Sequence, residues 1–379
     1  MKKIFNRICM VMGICALSST VLAGQTPAPT PTASLTLVAE SPENLWNSFV
    51  VMSNGRMFAG MPRWPGFEKT PSLVEIKTDG SLIPYPGGKW NNWQPDKSGA
   101  EAFININAIN TFDGNTLWVV DQGAPPGSSV ALPGAQKIVE IDTKTNKIKR
   151  IIQLGKNVLP PGAAINDIRI KGEWAYLTES GLGSIIVVNL SNGNIMRRLS
   201  NNLSTKQTRL KIGRDFEPLN YADGKPQLTN ADPIELSPDG QWLYYAAASG
   251  PLYRVPTKAL QDGQLSESDL SKQVQFVYDT PTLGGTAMDS KGNIYLAQAD
   301  MPRIDILSPD GTLQVLAEDP RLLGGDAMFI TRDGYLNVPI AQVPNLKFVR
   351  GPNGKDLITR PFKIWKFKLP ENSGTPLHP

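Results

Sequence analysis

Leu236-Ser237-Pro238-Asp239-Gly240-Gln241-Trp242-Leu243-Tyr244-Tyr245 is the stretch whose reading decides the fold. Asp239-Gly240 is a tight-turn signal, because glycine supplies the positive φ that a short hairpin needs. The aromatic and apolar run Leu243-Tyr244-Tyr245 after it reads as a strand. The same arrangement recurs five times along the chain. Asn54-Gly55 precedes Met57-Phe58, Asp113-Gly114 precedes Leu117-Trp118, and Lys171-Gly172 precedes Ala175-Tyr176. Lys291-Gly292 precedes Ile294-Tyr295, and Asp333-Gly334 precedes Tyr335-Leu336. The six glycines follow one another at intervals of 59, 58, 68, 52 and 42 residues.

A second hairpin follows in most units. Leu73–Ile76 runs into Asp79-Gly80, Ile138–Ile141 into Thr145-Asn146, Ile185–Asn189 into Asn192-Gly193, and Ile304–Ile306 into Asp310-Gly311. In the fourth and sixth units, Leu252–Val255 and Phe362–Leu369 hold the matching place. Four short strands repeated six times predict an all-β chain, a six-bladed β-propeller. A large β-sandwich or two β domains would share the turn spacing but not the count. Pairing of the first strand, Leu35–Ala39, with the last, Ile364–Leu369, would close the ring and remove its edges.

The chain has 379 residues, 19% of them charged, with 34 glycines and 32 prolines. That balance suits short strands and many turns better than long surface helices. The start reads as an address. Lys2, Lys3 and Arg7 precede the apolar run Ile8–Leu17, and Val21-Leu22-Ala23 offers small residues for cleavage. The expected organisation is a signal peptide over 1–23, a Pro/Thr-rich linker over 24–34, the propeller over 35–370 and a tail over 371–379. The location expected is secreted or periplasmic, with no membrane span.

Removing 1–23 takes both cysteines and leaves 35 basic against 34 acidic residues. The net charge of +4 therefore says nothing about nucleic acid, and no nucleic-acid partner is expected. The mature chain has no cysteine, and its one histidine is His378. Imidazole-based triads, thiol nucleophiles, zinc sites and haem ligation are excluded. No glycine-rich phosphate loop is present, so no nucleotide is expected. The chemistry left is that of carboxylates, amides, hydroxyls, amines, aromatics and hard cations held by oxygen.

In order along the chain stand Pro62-Arg63-Trp64-Pro65-Gly66, Leu117-Trp118-Val119-Val120-Asp121-Gln122-Gly123, and Asn166-Asp167-Ile168-Arg169 with Tyr176–Gly181. They are followed by Leu236–Gly240 with Leu243–Tyr245 and by Leu252–Thr257. In this combination the sequence, from about Leu37 to Leu369, resembles the major royal jelly protein/yellow family in its bacterial form. The resemblance implies a six-bladed propeller and a secreted protein. Insect members of the family include nutrient, pigment-related and amine-binding proteins. A more distant resemblance, to the gluconolactonase/regucalcin propellers, implies a divalent metal in the central channel.

Polar residues at the start of the innermost strands of a propeller converge on its channel. Here those places hold Glu43, Asn107, Asn166-Asp167, Asp232 and Asp326. The lactonase resemblance implies that Glu43, Asn107, Asn166 and Asp232 hold the metal, as oxygen ligands suited to Ca²⁺ or another divalent cation. This sequence departs from the related pattern at two places, with Gly284-Gly285-Thr286 where bacterial relatives carry an Asp-Gly pair and Pro233 after Asp232 where the pattern has Gly. Asn and Asp before strands also cap turns, which is the plainer use of such residues. Arg63, Trp64 and Trp93 form an aromatic and basic group that could close over a ligand, or plug loops against blade edges. Asp121-Gln122-Gly123 and Glu179-Ser180-Gly181 read as strand-ending turns at a channel mouth.

Three functions remain open. One is an exported protein that binds a small molecule in the channel. Another is a metal-dependent hydrolase of a lactone or similar ester, with Asp232 as the catalytic residue activating water. The last is an isomerase of a quinone-like compound. Asp167 and Asp326 join Arg63, Trp64 and Trp93 as expected ligand contacts. The sequence is silent on oligomeric state.

Overall fold

The computed structural model describes residues 34–377. The proposed signal segment and all but the last residue of the linker lie outside them. The chain opens with β1 (Thr36–Ser41) and then builds blades in order. The first blade is β2 (Ser48–Val51), β3 (Met57–Gly60), β4 (Leu73–Ile76) and β5 (Leu82–Pro84). The second is β6 (Ile106–Asn110), β7 (Thr116–Asp121), β8 (Lys137–Asp142) and β9 (Lys147–Gln153). The third is β10 (Ile165–Lys171), β11 (Trp174–Glu179), β12 (Ser184–Asn189) and β13 (Ile195–Arg198). The fourth is β14 (Ala231–Leu236), β15 (Trp242–Ala247), β16 (Leu252–Pro256) and β17 (Gln275–Tyr278). The fifth is β18 (Leu283–Met288), β19 (Ile294–Gln298), β20 (Arg303–Leu307) and β21 (Leu313–Glu318). The sixth is β22 (Phe329–Ile330), β23 (Tyr335–Pro339) and β24 (Phe362–Lys368), with β1 as its outermost strand.

Each blade is a four-stranded antiparallel sheet, a meander in the first five, and the fold is a six-bladed β-propeller. The six turn glycines all join the innermost strand to the second, and all have positive φ, from 58° at Gly172 to 84° at Gly55. A side chain there would be forced into the left-handed region, which is why the turn signal reads so clearly. The sixth blade has no second hairpin, because β1 arrives from the other end of the chain. β1 pairs antiparallel with β24, Thr36 opposite Lys366 and Ser41 opposite Phe362. The pairing fits a ring closed by its two ends. In the fourth blade two short helices, α1 (Thr257–Gln261) and α2 (Glu267–Ser271), replace the second hairpin.

The middle strands are buried on both faces, so they read as unbroken apolar runs. Successive side chains of a strand point to opposite faces, and each face serves a different neighbour. Val119 joins the core between the first and second blades, while Val120 joins that between the second and third. Tyr295 and Leu296 divide in the same way. Among the described residues no helix is long and apolar enough to cross a membrane.

The tail does not hang free. Gly374 N–H donates to Asp289 Oδ2 at 2.7 Å, Ser290 N–H to Thr375 O at 2.8 Å, and Lys291 Nζ to Asn372 O at 2.8 Å. It lies on the β18–β19 turn of the fifth blade.

Candidate functional site

Five of the six innermost strands deliver one amide or carboxylate to the axis. The residues are Asn47, Asn107, Asn166, Asp232 and Asp326, each six to eight residues ahead of its turn glycine. Three of these strands carry a register irregularity at this position, between Ile106 and Ala108 in β6, Ile165 and Ile168 in β10 and Ala231 and Ile234 in β14, and β18 of the fifth blade carries one at Gly284. A bulge of this kind re-aims a side chain. In the fifth blade Gly284 occupies the place. A Cβ on Gly284 would lie 2.0 Å from Gly325 O, and one on Gly285 would lie 2.5 Å from Ala327 N. Glycine is required there by the close approach of the fifth and sixth inner strands.

The groups are coupled. Asn107 Nδ2 donates to Asn166 Oδ1 at 2.9 Å and to Asn166 O at 3.2 Å. Thr178 Oγ1 donates to Asp232 O at 2.8 Å. Asn47 is 3% exposed, and its Oδ1 has no hydrogen-bond partner. Burial pushes Asp232 up to about 7, with the Asp167 charge adding to the effect and Lys211 opposing it. Asp326 also stands well above the carboxylate range, by burial and by repulsion from Asp232.

Above this ring lies a chamber of about 320 Å³. Its roof comes from two loops. Residues 199–230, the crossover from third to fourth blade, meet residues 341–361 of the sixth. Asn220 N–H donates to Val349 O at 2.9 Å, and Gly351 N–H to Asn220 O at 2.8 Å. Trp64, Leu219, Tyr221 and Phe348 give the upper walls their apolar surface, with Trp64 edge-on to Phe348 at 6.4 Å. Lys211 enters the chamber from the roof. It is buried, and its Nζ donates to Thr229 Oγ1 at 3.0 Å. Burial lowers its pKa, and Asp232 and Asp326 oppose the shift.

Below the ring the channel narrows to a throat of about 20 Å³ lined by Asp167 and Thr286 among others. Arg169 closes it. Its guanidinium binds Asp167 Oδ2 at 2.8 Å and spans both oxygens of Glu235 at 2.8 and 3.1 Å. Thr286 Oγ1 donates to Glu235 Oε1 at 2.8 Å. The chamber is thus a one-ended pocket, and a separate small cavity on the far side of Arg169 and Glu235 is lined in part by Pro376 and Leu377 of the tail.

The residues expected from the sequence divide accordingly. Asn107, Asn166, Asp232 and Asp326 meet at the axis, and Asp167 sits just beneath. Glu43 does not join them. Its side chain is 80% exposed and faces Arg360 Nε at 3.6 Å. Because β2 begins at Ser48, Asn47 occupies the matching place. Trp64 lines the chamber, but Arg63 and Trp93 do not. The Arg63 guanidinium donates to the carbonyls of Thr70, Phe103 and Ile104 at 3.2, 2.6 and 3.1 Å, and lies 5.8 Å from the Trp93 ring. That pair fastens the loop between the first two blades. Asp121 is fully buried against Lys137 at 2.7 Å, and Glu179 against Arg197 at 2.6 Å. Both carboxylates brace strand ends, while Gln122 and Ser180 face the chamber. Sequence reasoning missed Asn47 and Lys211. The spacing to Gly55 could have given the first; nothing local marks the second.

The sequence matches the major royal jelly protein family over residues 109–338. The chain belongs to that family. No curated protein matches it in sequence. Among solved structures, the family fold seen here is similar to regucalcin from Agrobacterium tumefaciens, described as a calcium-binding protein. That protein is 15% identical, with a TM-score of 0.53 over 90% of this chain and 98% of its own. A protein assigned as a gluconolactonase is 9% identical, with a TM-score of 0.54 over 91% of this chain and 94% of its own. Luciferin-regenerating enzyme is 10% identical, with a TM-score of 0.55 over 91% and 98%. At these identities the likeness is one of fold.

The donors at the axis also suit a hard cation chemically. Asp232, Asp326 and the unpartnered Asn47 Oδ1 are all oxygen ligands. Among the described residues no three His, Cys, Asp or Glu side chains gather into a metal-binding group, so amides would have to complete the set.

Proposed function

We propose that this royal-jelly-type propeller is exported and binds a small molecule with a cationic group in its channel chamber. The observation that carries the reading is the pairing of two buried axial carboxylates with an aromatic roof. Asp232 and Asp326 line the chamber, and burial holds both carboxyls above the usual range, so a cationic group beside them is favoured because it stabilises their charged form. Such walls stabilise a cation, and rings above it favour an apolar or aromatic body. The volume of about 320 Å³ fits a ligand of amino-acid or amine size. Titration calorimetry of the mature protein with aromatic amines tests this. Binding that Asp232→Ala weakens by about tenfold or more is the expected result. Heat from no amine would sink it. Export is tested separately, by N-terminal sequencing, with Gly24 as the expected first residue.

A second reading is a metal-assisted lactonase-type hydrolase. It is favoured by the oxygen donors that meet at the axis, where Asp232, Asp326 and the unpartnered Asn47 Oδ1 lie together. Ca²⁺ or another divalent cation would be held by Asp232, Asp326, Asn47 and Asn166, and would supply polarisation of a carbonyl. Asp232 would hold the proton taken from water, with Asn107 fixing Asn166 through its amide. Calcium binding in calorimetry that is lost in Asp232→Ala separates this reading from the first.

A further inference from the structure

Lys211 is the feature that neither the innermost strands nor the fold explains. It comes from the roof, is buried, and opposes the axial carboxylates across the chamber. A buried ammonium beside buried carboxylates normally closes into a contact pair. Here no ion pair within 4.0 Å joins Lys211 to Asp232 or Asp326. Among the described residues its Nζ donates to the neutral hydroxyl of Thr229, which leaves two of the three N–H donors for a ligand. On the facing side, Asn47 Oδ1 is buried and has no donor, and Gln227 Oε1, also on the chamber lining, has none either. Opposite charges are therefore held apart on the walls of one cavity, with unmet hydrogen-bonding capacity of both kinds. Separated charges in a low-dielectric cavity are stabilised by a ligand that is itself a dipole and completes both ends.

We infer that the chamber takes a small aromatic zwitterion, an aromatic amino acid or a compound of that class. Its ammonium faces Asp232, Asp326 and Asn47 Oδ1, and its carboxylate faces Lys211. This deepens the small-cation reading above and rests on it. A simple amine would satisfy the carboxylates but leave Lys211 facing a like charge. A simple acid would satisfy Lys211 but face two carboxylates. Trp64, Tyr221 and Phe348 supply the apolar wall for the ring.

The test compares three probes on one indole frame by calorimetry with the mature protein: tryptophan, tryptamine and indole-3-propionate. Tryptophan should bind at least about tenfold more tightly than either of the others. Lys211→Met should erase that preference by weakening tryptophan, and should leave tryptamine equal or tighter. Lys211→Arg should keep it. Should Lys211→Met fail to fold, the wild-type preference and the Lys211→Arg result still decide. Tryptamine binding as tightly as tryptophan to the wild type would overturn the zwitterion and leave the cation reading standing. A Lys211→Met variant that binds tryptophan unchanged or more tightly would also overturn it, making Lys211 only a resident counter-ion. Binding of none of the three overturns both readings.

Discussion

At the scale of single residues, the site is set by position relative to strand start. Asn47 stands eight residues before Gly55, as Asp232 stands eight before Gly240 and Asp326 eight before Gly334. Glu43 is four residues too early and ends in solvent. The raised carboxylates have a measurable consequence. Asp232 has an ordinary value of 3.8 and is pushed up to about 7 in the folded chain. The native state therefore holds a proton that the unfolded chain releases between these values. That stability is fully present below the unfolded value and is lost as pH rises through about 7. Urea unfolding should show a less stable protein at pH 8 than at pH 5. Asp232→Asn should flatten part of the slope and stabilise at pH 8 by up to about 4 kcal/mol. Asp326 acts in the same direction and should supply the remainder. A variant with an unchanged slope would show that Asp232 is not the group responsible.

At the scale of elements, the innermost strands deliver side chains to the axis and the outermost strands protect the blades. β1 has a special place, because it alone completes the sixth blade. Removing residues 34–41 would leave β24 as an open edge with unpaired N–H and C=O groups along Phe362–Lys366. Such an edge templates aggregation. Ala39 and Ser41 are buried in the blade as well. The truncated protein should melt several degrees lower and elute partly as aggregate in size-exclusion chromatography. A monomeric product with the parent melting temperature would show that the pairing contributes little. The tail is an element of a different sort. It is held by turn hydrogen bonds and by the fit of Gly374, where a Cβ would lie 2.7 Å from the Asp289 carboxyl carbon.

For the whole molecule, the ring gives the channel its walls, but its ends come from elsewhere. The roof joins the third-to-fourth crossover with the sixth blade across the mouth, and Arg169 seals the throat by joining the third and fourth blades. Glu235 is buried beside it and Asp167 is partly buried. Removing one partner of a buried network leaves uncompensated charge and costs about 3–5 kcal/mol. Arg169→Met should lower the urea midpoint accordingly. Arg169→Lys should fall between, because it keeps the charge but cannot span both Glu235 oxygens at once. Equal midpoints for the parent and Arg169→Met would show that the seal carries no stability.

The sequence by itself determined the blade count and the order of the strands. Turn glycines must adopt positive φ, and apolar runs must be buried on both faces, so both are written locally. It also determined what the site cannot be, since the only cysteines, Cys9 and Cys15, lie in the proposed signal segment and the one histidine is His378, so the propeller segment has no thiol or imidazole to offer there. Asn107, Asn166, Asp232 and Asp326 were legible for the same reason, as each keeps a short fixed distance from its own turn. The tertiary structure alone decided the rest. Arg63 and Trp64 are neighbours in sequence, yet one fastens a loop and the other faces the chamber, because adjacent side chains diverge and only packing says which way is in. Lys211 lies in a crossover with no repeat partner, so no periodicity announces it. Its burial opposite Asp232 and Asp326 exists only once the roof has folded across the ring.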